Sequence, residues 1–360
     1  MPDNRLITVA DALREAMDIA LARDDNVLLM GEGVVDPKGI FGTTTGLVDK
    51  YGDERVIEMP VAENGFTGMA IGAALMGCRP VVVHQRVDFS LLSVEQLFNN
   101  AAKTFYVTGG GHTVPMVVRM IIGRGWGQGP AHSQALETLF ALVPGLKVVL
   151  PTTAREAKGQ LLAAIEDDNP VIMVEHRWVH YARGEVPEGY YTVPLDGPRR
   201  VREGNAATIV ATSYMLLEAM RAADALEDVG IDCEVFDLAV LRPFRPEAII
   251  ESVRRTGRLL VVDTGFRLFG AGAELVAAVA EGAFDKLVEP PRRLGLPEHP
   301  TPSSRALLTN YYPSATMIVD AVAELTRAHS HRLSERRAAL AEMLATLPVD
   351  VPNPTFQGPF

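Results

Sequence analysis

Only two cysteines, Cys78 and Cys233, occur in the 360 residues of this chain. They lie far apart, each beside an apolar segment, at no spacing that would build a zinc site or a redox pair, so they read as buried free thiols. Basic charge is also short: 34 Lys and Arg stand against 45 Asp and Glu, a net charge of -11. No basic stripe is present to meet a phosphate backbone, which sets nucleic acid aside. No run of about 18 apolar residues exists to span a membrane, and the N-terminus shows no basic segment leading into an apolar stretch with a small-residue cleavage site. The expectation is a soluble, cytoplasmic protein without a membrane partner. Several motifs are missing as well. There is no P-loop, no G-x-G-x-x-G after a strand, no H-E-x-x-H, no G-x-S-x-G and no carboxylate cluster at metal-ligand spacing, which removes the ordinary nucleotide, zinc and serine-hydrolase readings.

What is present is a regular alternation of two hydrophobic periods. Thr8 is placed to cap an amphipathic helix over 9–22. Near-continuous apolar runs at 27–31, 56–60, 80–84, 114–120, 147–151 and 171–176 predict strands covered on both faces. Helical patterns at 64–76, 91–106, 134–142 and 153–167 lie between them. Strand and helix in turn imply an α/β fold with a mainly parallel sheet. Residues 182–205, rich in Pro, Gly and charge, break the pattern. After them the alternation resumes with strands at 207–212, 233–238 and 258–263, helices at 216–228, 246–255, 273–280 and 314–329, and a charged helical stretch near the C-terminus. The expected organisation is a first domain over 1–185, a linker over 186–205, a smaller α/β domain over 206–330 and a C-terminal helix and tail over 331–360.

Two features stand out against this frame. Glu63 sits where the apolar run RVIEMPVA gives way to a helix of small residues, a place where a carboxylate is costly unless it is protonated, paired or hydrogen-bonded. Its bland reading is an acidic residue favoured by the helix dipole. The second is the glycine run GRGWGQGPAHSQ, 123–134, which contains Trp126 and leads to His132. Glycine at such density lets backbone approach a ligand or another chain, and His132 could exchange a proton near neutral pH. The bland reading is a surface loop, with Ser133 and Gln134 capping the next helix.

Several segments, taken in order, carry a resemblance: LLMGEGV (28–34), FGTTTGL (41–47), RVIEMPVAENGFTGMAIGAALMGCRPV (55–81), DFSLLSVEQLFNNAAKTFYVTGG (88–110), AHSQALE (131–137), PGLKVVLPTTAREAKGQLLAAIEDDNPV (144–171) and VFDLAVLRPF (235–244). Over almost its whole length the chain resembles the beta subunit of the thiamine diphosphate-dependent decarboxylase component of 2-oxo acid dehydrogenase complexes, within the transketolase-like superfamily. The resemblance implies a thiamine-pyrimidine-binding domain followed by a transketolase C-terminal-like domain.

It further implies that Glu63 shares a proton with a pyrimidine nitrogen of thiamine diphosphate. That role suits a carboxyl in a poorly hydrated pocket. Phe89 is implied as a cofactor contact, and His132 as a proton donor or acceptor when the acyl group passes to a lipoyl carrier. A structural potassium ion is implied at Met116, Ala164, Ile165, Asp167 and Asn169, mostly through carbonyl oxygens. The family's Gly-Asp-Gly and Asn motif for magnesium and diphosphate is absent. A separate alpha subunit is therefore expected to hold magnesium, in an assembly of two alpha and two beta chains that works with a lipoyl-bearing acyltransferase on a small 2-oxo acid.

The chain also departs from the family. Where an apolar or aromatic segment is usual, it has VHQRVDF, with His84 and Arg86. That guanidinium could clamp a substrate carboxylate or phosphate, pair with an acidic group of a partner chain, or face solvent. Trp126 and Leu142 are further departures. The His84 and Arg86 changes keep open a second reading, a thiamine-dependent carboligase; a third, a non-catalytic scaffold, is disfavoured by the presence of Glu63.

Overall fold

The computed structural model describes residues 4–124, 127–346 and 350. The chain divides into two compact units. Of the described residues, one holds those up to Gly123 together with Ala131–Leu195, and the other those within 124–130 and those from Asp196 on. Trp126 lies outside the described residues.

In the first unit, strand β1 (Asn4–Thr8) runs into helix α1 (Val9–Arg23), capped as predicted by Thr8, whose hydroxyl accepts from the Asp11 amide. Strand β2 (Val27–Gly31) is followed by the short turns α2 (Gly39–Gly42) and α3 (Leu47–Tyr51), then β3 (Val56–Glu58), α4 (Glu63–Leu75) and β4 (Arg79–His84). After β4 come α5 (Val87–Ser90), a 3-10 turn over Leu91–Ser93, a π-helical turn over Gln96–Ala101 and α6 (Ala102–Val107). Strand β5 (Val117–Ile122), α7 (Glu137–Ala141), β6 (Lys147–Val149), α8 (Ala154–Glu166), β7 (Val171–His176) and β8 (Arg183–Pro187) complete the unit. Its sheet has the order β6-β7-β5-β4-β2-β3, and all of these pairings are parallel. β1 and β8 form a separate antiparallel pair.

Burial explains the apolar runs, since every residue of β5 and β7 is buried, as strands covered on both faces must be. The chain goes from β2 out to β3 and returns past β2 to β4, so the winding reverses between β2 and β4. In an open parallel sheet the crevice beyond the carboxyl ends at such a reversal is where ligands bind. Gln85 spans it, its Nε2 donating to the Glu32 carbonyl at 3.0 Å.

The second unit carries β9 (Arg199–Arg202), β10 (Ala207–Ala211), α9 (Met215–Glu227), β11 (Cys233–Asp237), β12 (Val240–Arg242), α10 (Glu247–Thr256), β13 (Leu259–Phe266), α11 (Ala271–Ala283), β14 (Arg292–Leu296), α12 (Ala315–Thr326) and α13 (His331–Ala345). Its sheet runs β14-β13-β10-β11-β9, parallel except for β9. Ser314 caps α12, and the Glu218 carboxylate of α9 accepts from the Ala315 amide at 2.8 Å. Within 182–205 the chain therefore forms two strands, β8 and β9, and passes from one unit to the other between Leu195 and Asp196. Cys233 is buried and Cys78 half-buried, and neither forms a disulfide.

Candidate active site

Glu63 opens α4 and is 4% exposed. The helix is apolar nearly all round, so it buries Phe66, Thr67, Ala70, Ile71 and Ala74 on one side while Gly65, Met69, Gly72, Leu75 and Met76 stay exposed on the other. Beneath its first turn runs a buried chain of hydroxyls. Thr67 donates to Ser93 Oγ at 3.0 Å, and Ser93 donates to the Glu63 carbonyl at 2.9 Å. Among the described residues, none donates a hydrogen bond to the Glu63 carboxylate. A buried carboxylate left open in this way fits a ligand that brings its own donor.

His84, at the end of β4, is also buried; its ring stacks on Phe66 with centroids 5.2 Å apart, and Nε2 lies 3.5 Å from Thr67 Oγ1. Because the Thr67 proton goes to Ser93, Nε2 of His84 is the donor in that contact. Burial pushes the imidazole pKa down to about 3, so the ring is neutral. Nδ1 is then a lone-pair acceptor, buried and without a hydrogen-bond partner among the described residues. Sequence reasoning named His84 but gave no hint of its tie to Glu63.

A second carboxylate was missed. Glu32 follows β2 directly, and its pKa is raised by burial and by the charges of Glu63 and Glu58. Glu58 in turn accepts from the Gly33 amide at 2.6 Å and the Val35 amide at 3.3 Å, tying the loop after β2 to the end of β3. The surroundings of Glu63 are thus acidic, which favours a cationic or proton-donating group there and repels a diphosphate.

Phe89 and His132 come together, centroids 5.2 Å apart and planes at 87°. Gln134 donates to Asp88 Oδ1 at 2.7 Å and pins the His132 segment to α5. Neither Ser133 nor Gln134 caps a helix: α7 starts at Glu137 after an uncapped Leu136. No hydrogen bond or ring contact joins Glu63 to His132 among the described residues. The glycine run approaches the chain's own side chains. A Cβ on Gly123 would lie 2.7 Å from His176 Nε2, and one on Gly129, at φ +66°, would lie 2.1 Å from Ser303 Oγ.

Arg86 is 3% exposed, which excludes solvent exposure as its explanation in this chain. Its guanidinium carbon lies 5.5 Å from the centroid of Phe41, and that of Arg177, immediately after β7, lies 3.9 Å from the same ring. Arg177 also donates to the Tyr181 hydroxyl at 2.9 Å. Burial and the neighbouring Arg177 charge, partly offset by Asp88, bring Arg86 down to about 10. Arg177 was not anticipated. Its one sequence signal is its place directly after a largely apolar strand, where the crevice opens.

Behind this pair, Glu175 takes two bonds from the fully buried Arg119, at 2.5 and 2.9 Å, and one from His180 Nε2 at 2.9 Å. Burial raises the Glu175 pKa, but the Arg119 charge and the hydrogen bonds outweigh it and bring it to about 2. Burial dominates at His180, whose pKa is lowered, so its contact is a neutral N–H donating to a carboxylate.

Of the five positions for potassium, four cluster at the end of α8. Arg79 donates to the carbonyls of Ile165 at 3.0 Å and Asp167 at 3.2 Å, and the Asp167 amide donates to Ala164 O at 3.3 Å. The Asp167 carboxylate pairs with Lys147 and accepts from the Asn169 amide at 2.9 Å. Met116 O accepts from Val171 N at 3.0 Å. Each carbonyl retains a second lone pair.

Comparison with known proteins matches residues 5–179 to the transketolase pyrimidine binding domain and 198–318 to the transketolase C-terminal domain. The chain is 42% identical, over 87% of its length and 94% of the relative's, to the pyruvate dehydrogenase E1 component subunit beta of Porphyra purpurea. It is 38% identical, over 89% of its length and 97% of the relative's, to the acetoin:2,6-dichlorophenolindophenol oxidoreductase subunit beta of Bacillus subtilis. Among solved structures it superposes on a split-gene transketolase, an inactive beta4 tetramer, with a TM-score of 0.71 and 23% identity, over 89% of this chain and 98% of that one.

Proposed function

The chain belongs to the transketolase-like family of 2-oxo acid dehydrogenase E1 beta subunits, and we propose that it is the beta half of a thiamine diphosphate-dependent decarboxylase that passes an acyl group to a lipoyl carrier. The observation that carries this reading is Glu63, buried, bordered by Glu32, and left open for a donor at the start of α4. When bound, thiamine diphosphate supplies the electron sink that decarboxylation of a 2-oxo acid requires. The Glu63 carboxyl holds the proton it shares with a pyrimidine nitrogen. Phe89 offers an apolar surface that excludes water, and His132, held at its edge, moves a proton during acyl transfer. His84 and Arg86 face substrate.

The acidic surroundings of Glu63 support assigning the diphosphate and its magnesium to an alpha subunit, as does the absence of the Gly-Asp-Gly motif from the sequence. The exposed apolar and glycine face of α4 supports a partner chain packed there, in an assembly of two alpha and two beta chains that delivers to a lipoyl-bearing acyltransferase. The oxygen-rich turn at Ala164, Ile165, Asp167 and Asn169, with Met116, is proposed to hold a structural potassium ion. Among the described residues no helix is long and apolar enough to cross a membrane, and the cytoplasm is the proposed compartment.

The test is 2-oxo acid decarboxylation with an artificial electron acceptor, run with this chain alone and mixed with its alpha chain, plus thiamine diphosphate and magnesium. Turnover should need both chains, and acylation of a lipoyl domain should follow. Carbon–carbon bond formation without lipoyl acylation would replace the dehydrogenase reading with a carboligase.

A further inference from the structure

A run as rich in glycine as the one that leads to His132 has little stiffness of its own, so contacts with other residues set its path. The described residues within 124–130 belong to the second unit, and the chain re-enters the first at Ala131. Three residues from farther along the second unit hold them. The Arg124 guanidinium carbon stands 3.9 Å from the centroid of the Tyr312 ring, and Arg124 Nε lies 3.7 Å from Asp350 Oδ1. A Cβ on Gly127, at φ +70°, would lie 2.7 Å from the Ser303 carbonyl oxygen, and one on Gly129 would lie 2.1 Å from the Ser303 hydroxyl.

That support is itself fixed. Tyr312 packs edge to face on Tyr311, with centroids 4.9 Å apart and planes at 86°, and Tyr311 is buried in a cluster with Leu296 and Leu308. The Tyr311 hydroxyl donates to the His299 carbonyl at 3.1 Å and takes a bond from Thr301 Oγ1 at 3.2 Å. The side chain of Asp350 is 4% exposed and that of Arg124 16%. Burial raises the Asp350 pKa, while the Arg124 charge, the Gly127 amide and the Arg305 charge favour the ionised carboxylate. A guanidinium taken largely out of water, over an aromatic face and beside a carboxylate, is anchored where a surface arginine would swing freely.

Two residues beyond Pro130 stands His132. Its ring meets Phe89, and two residues further on Gln134 is bonded to Asp88, so α5 fixes the chain on the far side of His132. On the near side, the second unit fixes it. We infer that Arg124, seated on Tyr312 and Asp350, is a positioning residue that acts through the short segment after it to set where His132 stands during acyl transfer. This rests on the reading of His132 as the group that moves a proton in that step. It adds a control of the step by the C-terminal part of the chain.

The experiment uses the assembled enzyme, with its alpha chain, thiamine diphosphate and magnesium. Two rates are followed: decarboxylation of a 2-oxo acid with an artificial electron acceptor, and acylation of a lipoyl domain. R124M should slow acylation by about tenfold or more, as a small displacement of a reacting group does, and should spare decarboxylation. Y312L should do the same, whereas Y312F, which keeps the ring, should acylate as the unsubstituted enzyme does. D350N serves if neither R124M nor Y312L assembles. Hydrogen exchange in peptides covering 131–134 should quicken in the slowed variants. Equal losses in both rates, or no loss in either, overturns the positioning role. If the unsubstituted assembly acylates no lipoyl domain, the reading of the reaction fails, and hydrogen exchange over 131–134 then judges the inference: faster exchange in R124M sustains it, and unchanged exchange ends it.

Discussion

The two sheets of this chain end differently at their carboxyl edges. In the second unit, Asp263 near the end of β13 is closed on itself: Oδ1 accepts from Thr212 Oγ1 at 3.0 Å and from the Gly265 amide at 3.1 Å, and Oδ2 from the Gly272 amide at 3.3 Å. Asp237, the last residue of β11, is likewise paired, with Arg199 at 3.3 Å. In the first unit the corresponding edge keeps polar groups open. Glu63 has no described donor to its carboxylate, and both the Oε1 of Glu32 and the Nδ1 of His84 are buried without a hydrogen-bond partner among the described residues. Two sheets of related architecture therefore separate a satisfied edge from an expectant one. Buried polar groups that a chain leaves unsatisfied mark where another molecule completes it.

Substitutions can break or sharpen this contrast. The largest effect is expected from Glu63→Gln, which keeps volume and removes the shared proton: decarboxylation should fall by about a hundredfold to ten-thousandfold, while gel filtration shows normal assembly with the alpha chain. Full turnover in that variant would refute the role given to Glu63. Next is Glu175→Gln, which strands the buried Arg119 and should cost about 3 to 5 kcal/mol in denaturant unfolding. The sign of its pH dependence follows. With a folded pKa of about 2 against 4.5, the stability from Glu175 is present above pH 4.5 and is lost as pH falls toward 2.

His84→Phe tests the neutral imidazole. With a folded pKa of about 3 against 6.5, the stability His84 gives is full above pH 6.5 and declines as pH falls through that window, by about 2 kcal/mol between pH 7 and pH 5. Melting curves of the phenylalanine variant should lose that share of the acid sensitivity; an unchanged pH profile would mean that the folded protein protonates the ring as readily as the unfolded chain does. Smallest, and in the satisfied sheet, is Asp263→Asn. Its amide would face donors where a carboxylate accepted, costing about 1 to 2 kcal/mol of stability, with kcat at saturating substrate as in the unsubstituted enzyme.

Much of the fold was legible because its strands are covered on both faces. VLLMG and VIMVEH stand out as near-continuous apolar runs, and Thr8 caps α1 as foreseen, while Thr153 and Ser314, the first residues of two predicted helices, cap α8 and α12. Strands such as RRVR and RRLGL, β9 and β14, carry no such signal, since edge strands need not be apolar. The strand foreseen at 114–120 begins at Val117, beyond Pro115, which has no amide for the ladder.

The single helix foreseen over 91–106 is broken into 3-10, π and α turns. That break serves tertiary contacts: Ser93 reaches the Glu63 carbonyl, and Gln96 packs on Gly68 and donates to Asn64. In the site, Glu63 was readable from its context, whereas Arg177 was not. An arginine after a strand looks like any surface cation until the sheet order sets it beside Arg86 and Phe41.

The exposed glycines of α4 bear on how variants of such a chain should be judged. A Cβ added at Gly72 meets nothing within 4 Å, so alanine there would stabilise the isolated helix by about 0.5 to 1 kcal/mol. Redesign guided only by the melting temperature of this chain would therefore favour the replacement, and would roughen the face proposed above to receive a second polypeptide. On the reading proposed above, the cost of that change would be felt in assembly and not in the fold.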